Sequence, residues 1–167
     1  FFPPKTPEAS EALFGVISHL EALKPSFVDV TYGAGGGTRD LTNQLVLRLR
    51  RETPLDPIPH LTCVCHVQPE IDAVLEQWAR EGVSNILALG GDPPKDKPHW
   101  DRSKDAFRFA ADLVKHIAAF NRKGAHKDRR GFGIGIAGFP EGHPGTPNRL
   151  DEMDHLKAKV DAGADYL

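Results

Sequence analysis

The sequence predicts an α/β fold built on parallel strands. Two observations lead there. Short β-rich runs alternate with amphipathic helical stretches through all 167 residues. Several of those runs end in polar or Gly-rich loops: Thr31-Tyr32-Gly33, Gly90-Gly91-Asp92 and Phe139-Pro140-Glu141-Gly142-His143. Strands separated by helices imply right-handed crossovers, and hence a barrel or a doubly wound sheet.

In chain order, Thr6 is placed to cap a helix with Pro7 at its first position. Leu13, Phe14, Ile17, Leu20 and Leu23 recur at helical spacing, and Pro25 ends the run. Residues 27–32 read as a strand. After the loop 33–37, Thr38 is expected to cap a helix carrying Leu41, Leu45 and Leu49. A Pro-rich connector from Pro54 to Pro59 leads to a strand at 60–65. Pro69 opens a helix with Ile71, Val74, Leu75 and Trp78 that ends near Gly82. Residues 85–89 read as a strand. Ser103 is expected to cap a long helix through Phe120, and 121–130 as a basic turn. Residues 132–138 form a further strand, and the helix toward Lys159 leads to another beginning at Tyr166. With no low-complexity segment and no evident linker, 1–167 reads as part of one domain.

The formal net charge of −2 argues against a broad nucleic-acid footprint. No apolar run approaches membrane-spanning length, and no secretory signal is visible. Cys63 and Cys65 fall two apart on an expected strand, poorly placed to pair with each other. A reduced, cytoplasmic setting fits. The abrupt start at Phe1-Phe2-Pro3-Pro4 and the strand just begun at Tyr166 are expected of a piece of a larger fold, since such barrels need about 250 residues.

Gly133-Ile134-Gly135-Ile136-Ala137-Gly138 matches the dinucleotide fingerprint literally. It alternates like a strand, however, and the prolines that follow forbid an immediate helix. Its glycines are better read as admitting another surface close to the strand. Gly33-Ala34-Gly35-Gly36-Gly37-Thr38 could cradle phosphate but lacks the P-loop lysine. His60, Cys63, Cys65 and His66 invite a zinc reading. Strand parity would put the histidines on one face and the cysteines on the other, so no metal is expected. Asp92, Glu141 and His143 sit on stiff loops, and each reads equally as a turn residue or as a functional group.

The ordered set Phe1-Phe2-Pro3-Pro4-Lys5-Thr6, Val30-Thr31-Tyr32-Gly33-Ala34, Pro59-His60-Leu61-Thr62-Cys63, Leu87-Ala88-Leu89-Gly90-Gly91-Asp92-Pro93, Ala111-Asp112-Leu113-Val114, Ala137-Gly138-Phe139-Pro140-Glu141-Gly142-His143-Pro144 and Leu156-Lys157-Ala158-Lys159-Val160-Asp161-Ala162-Gly163-Ala164 resembles the methylenetetrahydrofolate reductase family. The resemblance implies a (β/α)₈ TIM barrel, of which this chain holds about strands 1 to 6. It implies FAD bound at the strand C-terminal ends without a Rossmann turn. It also implies ping-pong reduction of 5,10-methylenetetrahydrofolate to 5-methyltetrahydrofolate by NAD(P)H, within one-carbon metabolism and methionine biosynthesis. A homo-oligomer that binds neither nucleic acid nor membrane is the expectation.

Carried over residue by residue, the resemblance puts Thr31, Tyr32, Ala34, His60, Gly90, Gly91, Asp92, Ala110, Phe139, His143, Glu152, His155 and Lys159 around the FAD. Asp92 also stands beside the flavin ring and the pterin, as the catalytic carboxylate. Three positions depart from the family pattern. Gly90 stands where many members have Arg, Phe139 where Tyr is common, and Glu152 where some have Asp. The family's general acid, a Glu directly before the Phe-Phe-Pro-Pro stretch, and its folate-stacking residues fall outside 1–167, so this stretch alone is expected to be inactive. The alternatives are a non-catalytic fragment of that fold, or another barrel enzyme using Asp92 and Glu141 on a phosphorylated or carbonyl substrate.

Overall fold

The computed structural model describes residues 1–32, 38–92, 99, 101–143 and 145–167. Helix α1, Pro7–Glu21, starts as the sequence indicates: the Thr6 hydroxyl accepts from the Ala9 amide at 3.2 Å, and Pro7 sits where no helical donor is needed. Ile17 is buried, with Leu13 and Phe14 packed beside the core, while Leu23 falls past the helix end and is exposed. The chain then alternates through β1 (Val28–Val30), α2 (Arg39–Glu52), β2 (Pro57–Thr62), α3 (Gln68–Glu81), β3 (Asn85–Leu89), α4 (Ala110–Arg122), β4 (Gly133–Ile136) and α5 (Arg149–Asp161).

The strands form one parallel sheet in the order β1-β2-β3-β4. Both outer edges carry a further strand position. Phe1 donates to the Asp29 carbonyl and accepts from the Thr31 amide, the hydrogen-bond pattern of a parallel partner to Val30. Tyr166 bridges Gly135 in parallel on the far edge. Sequential parallel order with a helix after each strand is the arrangement of an incomplete (β/α)₈ barrel.

The core lies between strands and helices. Leu61, Ile86, Ala88 and Ile134 pack with Leu49, Ile71, Leu75, Trp78, Leu113 and Ile117, all essentially inaccessible. Each buried Leu or Ile contributes about 1.5–3 kcal/mol. Trp78 can be fully buried because its indole N–H donates to Asn43 Oδ1 at 2.8 Å.

The Gly-x-Gly run is β4, and the next helix begins only at Arg149. A Cβ on Gly135 would lie 2.5 Å from Cε2 of Tyr166, so this glycine admits the neighbouring aromatic to the strand.

Several expected boundaries are corrected. The connector 54–59 is partly strand: β2 begins at Pro57. Val28 donates to the Asp56 carbonyl and Cys63 to the Leu89 carbonyl, so even residues of β2 face β1 and odd residues face β3. Pairing with β3 begins only at His60, so Pro57 and Pro59 lie where that ladder has not yet started. The strand stops at Thr62, and Cys65 has φ 61, a left-handed residue that no strand contains. Cys63 still packs among the helices, its thiol 3.5 Å from the Phe109 carbonyl, but Cys65 does not share its face by strand parity. Thr38 precedes α2 without a side-chain cap; its hydroxyl is buried and has no partner among the described residues. Helix α4 starts at Ala110 rather than 103: residues 102–104 make one 3₁₀ turn, and the Ala106 amide is drawn to the His66 carbonyl at 2.6 Å.

The glycine pair after β3 separates two kinds of glycine. Gly91 has φ 76, and a Cβ there would meet Val64 Cγ1 at 2.6 Å and Thr62 Cβ at 2.9 Å. A Cβ on Gly90 would meet nothing within 4 Å. In urea titrations of the full-length protein, Gly91→Ala should cost about 1–3 kcal/mol and Gly90→Ala less than about 0.5 kcal/mol. Equal effects would contradict this placement.

Candidate active site

A parallel ladder sorts strand ends, so β1 to β4 all open their C-terminal loops on the same edge of the sheet. Thr31 and Tyr32 follow β1, Gly90 to Asp92 follow β3, and Ala137 to His143 follow β4.

Thr31 is held from both sides. Its hydroxyl donates to the Phe1 carbonyl at 3.1 Å, and its own carbonyl accepts from the Thr42 hydroxyl at 3.1 Å, tying the end of β1 to α2. Tyr32 turns toward the β2 side, where its hydroxyl lies 2.7 Å from Nε2 of His66. His60 stands within β2, partnered in register with Leu87, so it lies deeper than the loop residues. Burial lowers its pKa below the ordinary histidine value, opposed by Asp29, whose carboxylate is 3.9 Å away.

Asp92 is exposed beyond the Gly90-Gly91 corner. That corner is contacted by Arg102, whose guanidinium donates to the Gly90 carbonyl at 3.2 Å and to Asp105 at 3.2 Å.

The remaining predicted residues come from the α4–α5 side. Ala110 is the first residue of α4, directly after the exposed Phe109, whose ring stacks with His155 of α5 at 6.1 Å between centroids. Glu152 and Lys159 are buried on α5. The Lys159 ammonium donates to the Ala137 carbonyl at 2.7 Å, which anchors the end of β4; burial lowers its pKa, with Glu152 opposing. Glu152 accepts from the Thr146 hydroxyl at 3.0 Å. Phe139 and His143 meet edge to face at 4.6 Å, and His143 Nδ1 accepts from the Gly145 amide at 3.0 Å. Glu141 is exposed on the same loop. Ala34 lies outside the described residues.

The edge thus gathers an exposed carboxylate (Asp92), a buried cation (Lys159), two exposed aromatic faces (Phe109 and Phe139) and a histidine (His143). Such a set suits a large ligand with an aromatic system and anionic groups. Sequence reasoning missed Arg102, Phe109, Glu70 and the part played by His66. Phe109 was signalled only by its place beside Ala110. Strand parity puts His66 on the same face as His60, and the structure corrects this: the strand ends before it and Cys65 reverses the backbone.

His66 is the buried end of a chain of groups that runs through Glu70 to the surface. Its side chain is 1% exposed, and Nδ1 lies 3.6 Å from Glu70, which pairs with Arg39 at 3.0 Å. At 3.6 Å Nδ1 makes no hydrogen bond among the described residues, but the acceptor-only Glu70 carboxylate nearby favours the ring proton there, which assigns Nε2 as the acceptor from the Tyr32 hydroxyl. Burial, reinforced by the Arg39 charge, pushes the His66 pKa down to about 4. Burial likewise raises that of Tyr32.

An unfolded histidine titrates near 6.5, so between that pH and about 4 the unfolded chain binds the extra proton. This group leaves stability unchanged above 6.5 and lowers it as pH falls toward 4, by roughly 3 kcal/mol in all. Urea titrations of the full-length protein should show falling stability from pH 7 to about pH 5, and His66→Gln should show a shallower fall. Identical slopes would contradict a neutral buried His66.

A family model described as methylenetetrahydrofolate reductase matches residues 1–167. The chain is 39% identical over 176 residues to methylenetetrahydrofolate reductase (NADH) 1 of Zea mays, covering 100% of this chain and 28% of the maize protein. It is 40% identical over 168 residues to methylenetetrahydrofolate reductase 1 of Schizosaccharomyces pombe, covering 100% of this chain and 26% of that protein. It is 37% identical over 166 residues to 5,10-methylenetetrahydrofolate reductase of Salmonella typhimurium, covering 98% of this chain and 50% of that protein. The chain spans half the length of these relatives or less. Matched from its first residue to its last, it belongs to the methylenetetrahydrofolate reductase family.

Proposed function

We propose that the full-length protein reduces 5,10-methylenetetrahydrofolate to 5-methyltetrahydrofolate with NAD(P)H through a bound FAD, in a ping-pong reaction. Residues 1–167 are then part of a single flavin-binding catalytic domain, working in the cytoplasm as a homo-oligomer. The maize relative's name specifies NADH, which favours NADH as the donor. Among the described residues no helix is long and apolar enough to cross a membrane.

The observation that carries the reading is the set of groups on the C-terminal edge of the sheet. The residues present fit a flavin nucleotide. The buried hydroxyls of Thr38 and Thr62 have no partner among the described residues, as expected of groups that await a polar ligand. Lys159 would offer its charge to the diphosphate, and Phe109 and Phe139 offer flat apolar faces for rings. Thr31, Tyr32, His60, Gly90, Gly91, Ala110, His143, Glu152 and His155 complete the proposed contacts, with Ala34 beyond the described residues. The flavin supplies hydride-transfer chemistry between nicotinamide and folate. Asp92 sets charge: a carboxylate there opposes anion on the flavin and favours the cationic form of the folate.

The visible absorption spectrum of the purified full-length protein tests the cofactor. A flavin spectrum, with FAD released on denaturation and NADH–menadione turnover, is expected. A colourless, inactive protein that takes up no FAD would sink the reading and favour a barrel enzyme using Asp92 and Glu141 on another substrate.

Asp92→Asn keeps shape and removes charge. The folate half-reaction should slow by roughly one to two decades, corresponding to about 1–3 kcal/mol. The flavin midpoint potential should rise. Stopped-flow measurements of both half-reactions, with a redox titration, check this; unchanged rates and potential would leave Asp92 a turn residue.

A further inference from the structure

We propose that Arg102 is a positioning residue for this site: its guanidinium pins the corner after β3 and so fixes where Asp92 stands. The pin itself follows from geometry. What Asp92 does there rests on the flavin–folate reading.

Arg102 lies in a 3₁₀ turn, Arg102–Lys104, between β3 and α4. It donates through Nε to Asp105 at 3.2 Å, and through Nη2 to the carbonyls of Gly90 at 3.2 Å and Arg108 at 3.5 Å. Asp105 is fully buried, and its other oxygen accepts from the Cys65 amide at 2.8 Å. Cys65 is a left-handed residue, so this contact holds a strained turn in place. The Ala106 amide reaches the His66 carbonyl at 2.6 Å.

Residues 102–106 therefore form a strap across the ends of β2 and β3. One arginine joins the β3 corner, the β2 turn and the lead-in to α4. No side chain leaves the corner itself, since both its residues are glycines. Together with the Val64 amide, which donates to the same Gly90 carbonyl at 3.3 Å, the strap limits the freedom of Gly90 and, through it, of Asp92 two residues on. Lysine could satisfy the Gly90 carbonyl but could not hold Gly90 and Asp105 together from the two ends of one planar guanidinium.

The test uses the full-length protein with Arg102→Ala and Arg102→Lys. In the apoprotein, hydrogen exchange should quicken tenfold or more for amides at 63–66 and 89–92 in Arg102→Ala, with α1 unchanged. Arg102→Lys should fall between. In the loaded enzyme, Arg102→Ala should slow the folate half-reaction at least tenfold while flavin reduction by NADH stays within twofold, with partial rescue by Lys. The proposal is overturned if exchange at 89–92 is unchanged. It is also overturned if exchange quickens everywhere alike, or if both half-reactions fall together and Lys rescues neither. If wild-type protein binds no flavin while Arg102→Ala still loosens 89–92, the pin stands and the flavin–folate reading falls.

Discussion

Four parallel strands that all run the same way are the constraint on which the rest of the structure depends. Parallel pairing forbids short hairpins and forces a crossover helix after every strand. The crossovers send every loop of one kind to the same edge of the sheet. Thr31, Gly91 and Phe139 are far apart in sequence, and the ladder brings them to one edge of the sheet. Close backbone approach supports the same order: Gly135 leaves room for Tyr166, and Gly91 tucks against Thr62 and Val64.

On that edge the polar groups are held by carbonyls and buried partners more than by surface ion pairs. Lys159 ends β4 by donating to Ala137, Thr31 ends β1 by donating to Phe1, and Arg102 ends β3 by donating to Gly90. Hydrogen bonds of this kind in shielded surroundings fix geometry, whereas exposed pairs such as Arg130 with Asp128 contribute little to it. His66 shows the other side of burial. It is kept neutral and supports Tyr32, and it makes the fold sensitive to acid.

Much of this was legible in the sequence, because strand and helix existence follows from local periodicity. The α1 cap, the helix end at Gly82, and the strand character of the Gly-x-Gly run all rest on short-range rules that tertiary contacts did not overturn. What was not legible depends on partners distant in the chain. Pro57 and Pro59 join a central strand only because β3 pairs later along it. Residues 103–109 carry no breaker, and the helix is delayed because Asp105 and Ala106 are committed to the β2 turn. The same long-range contacts hid Arg102 and the true direction of His66. Family resemblance named candidate site residues that spacing could not.

The central claim is that this chain contributes a flavin site on the C-terminal edge of its parallel sheet. A crystal structure of the full-length protein with FAD bound measures it most directly. The account predicts cofactor density across the ends of β1, β3 and β4, with Lys159 toward the diphosphate and Asp92 beside the ring system. Density at the opposite edge, near Asp56 and Asp165, or on the helical face away from these loops, would contradict it.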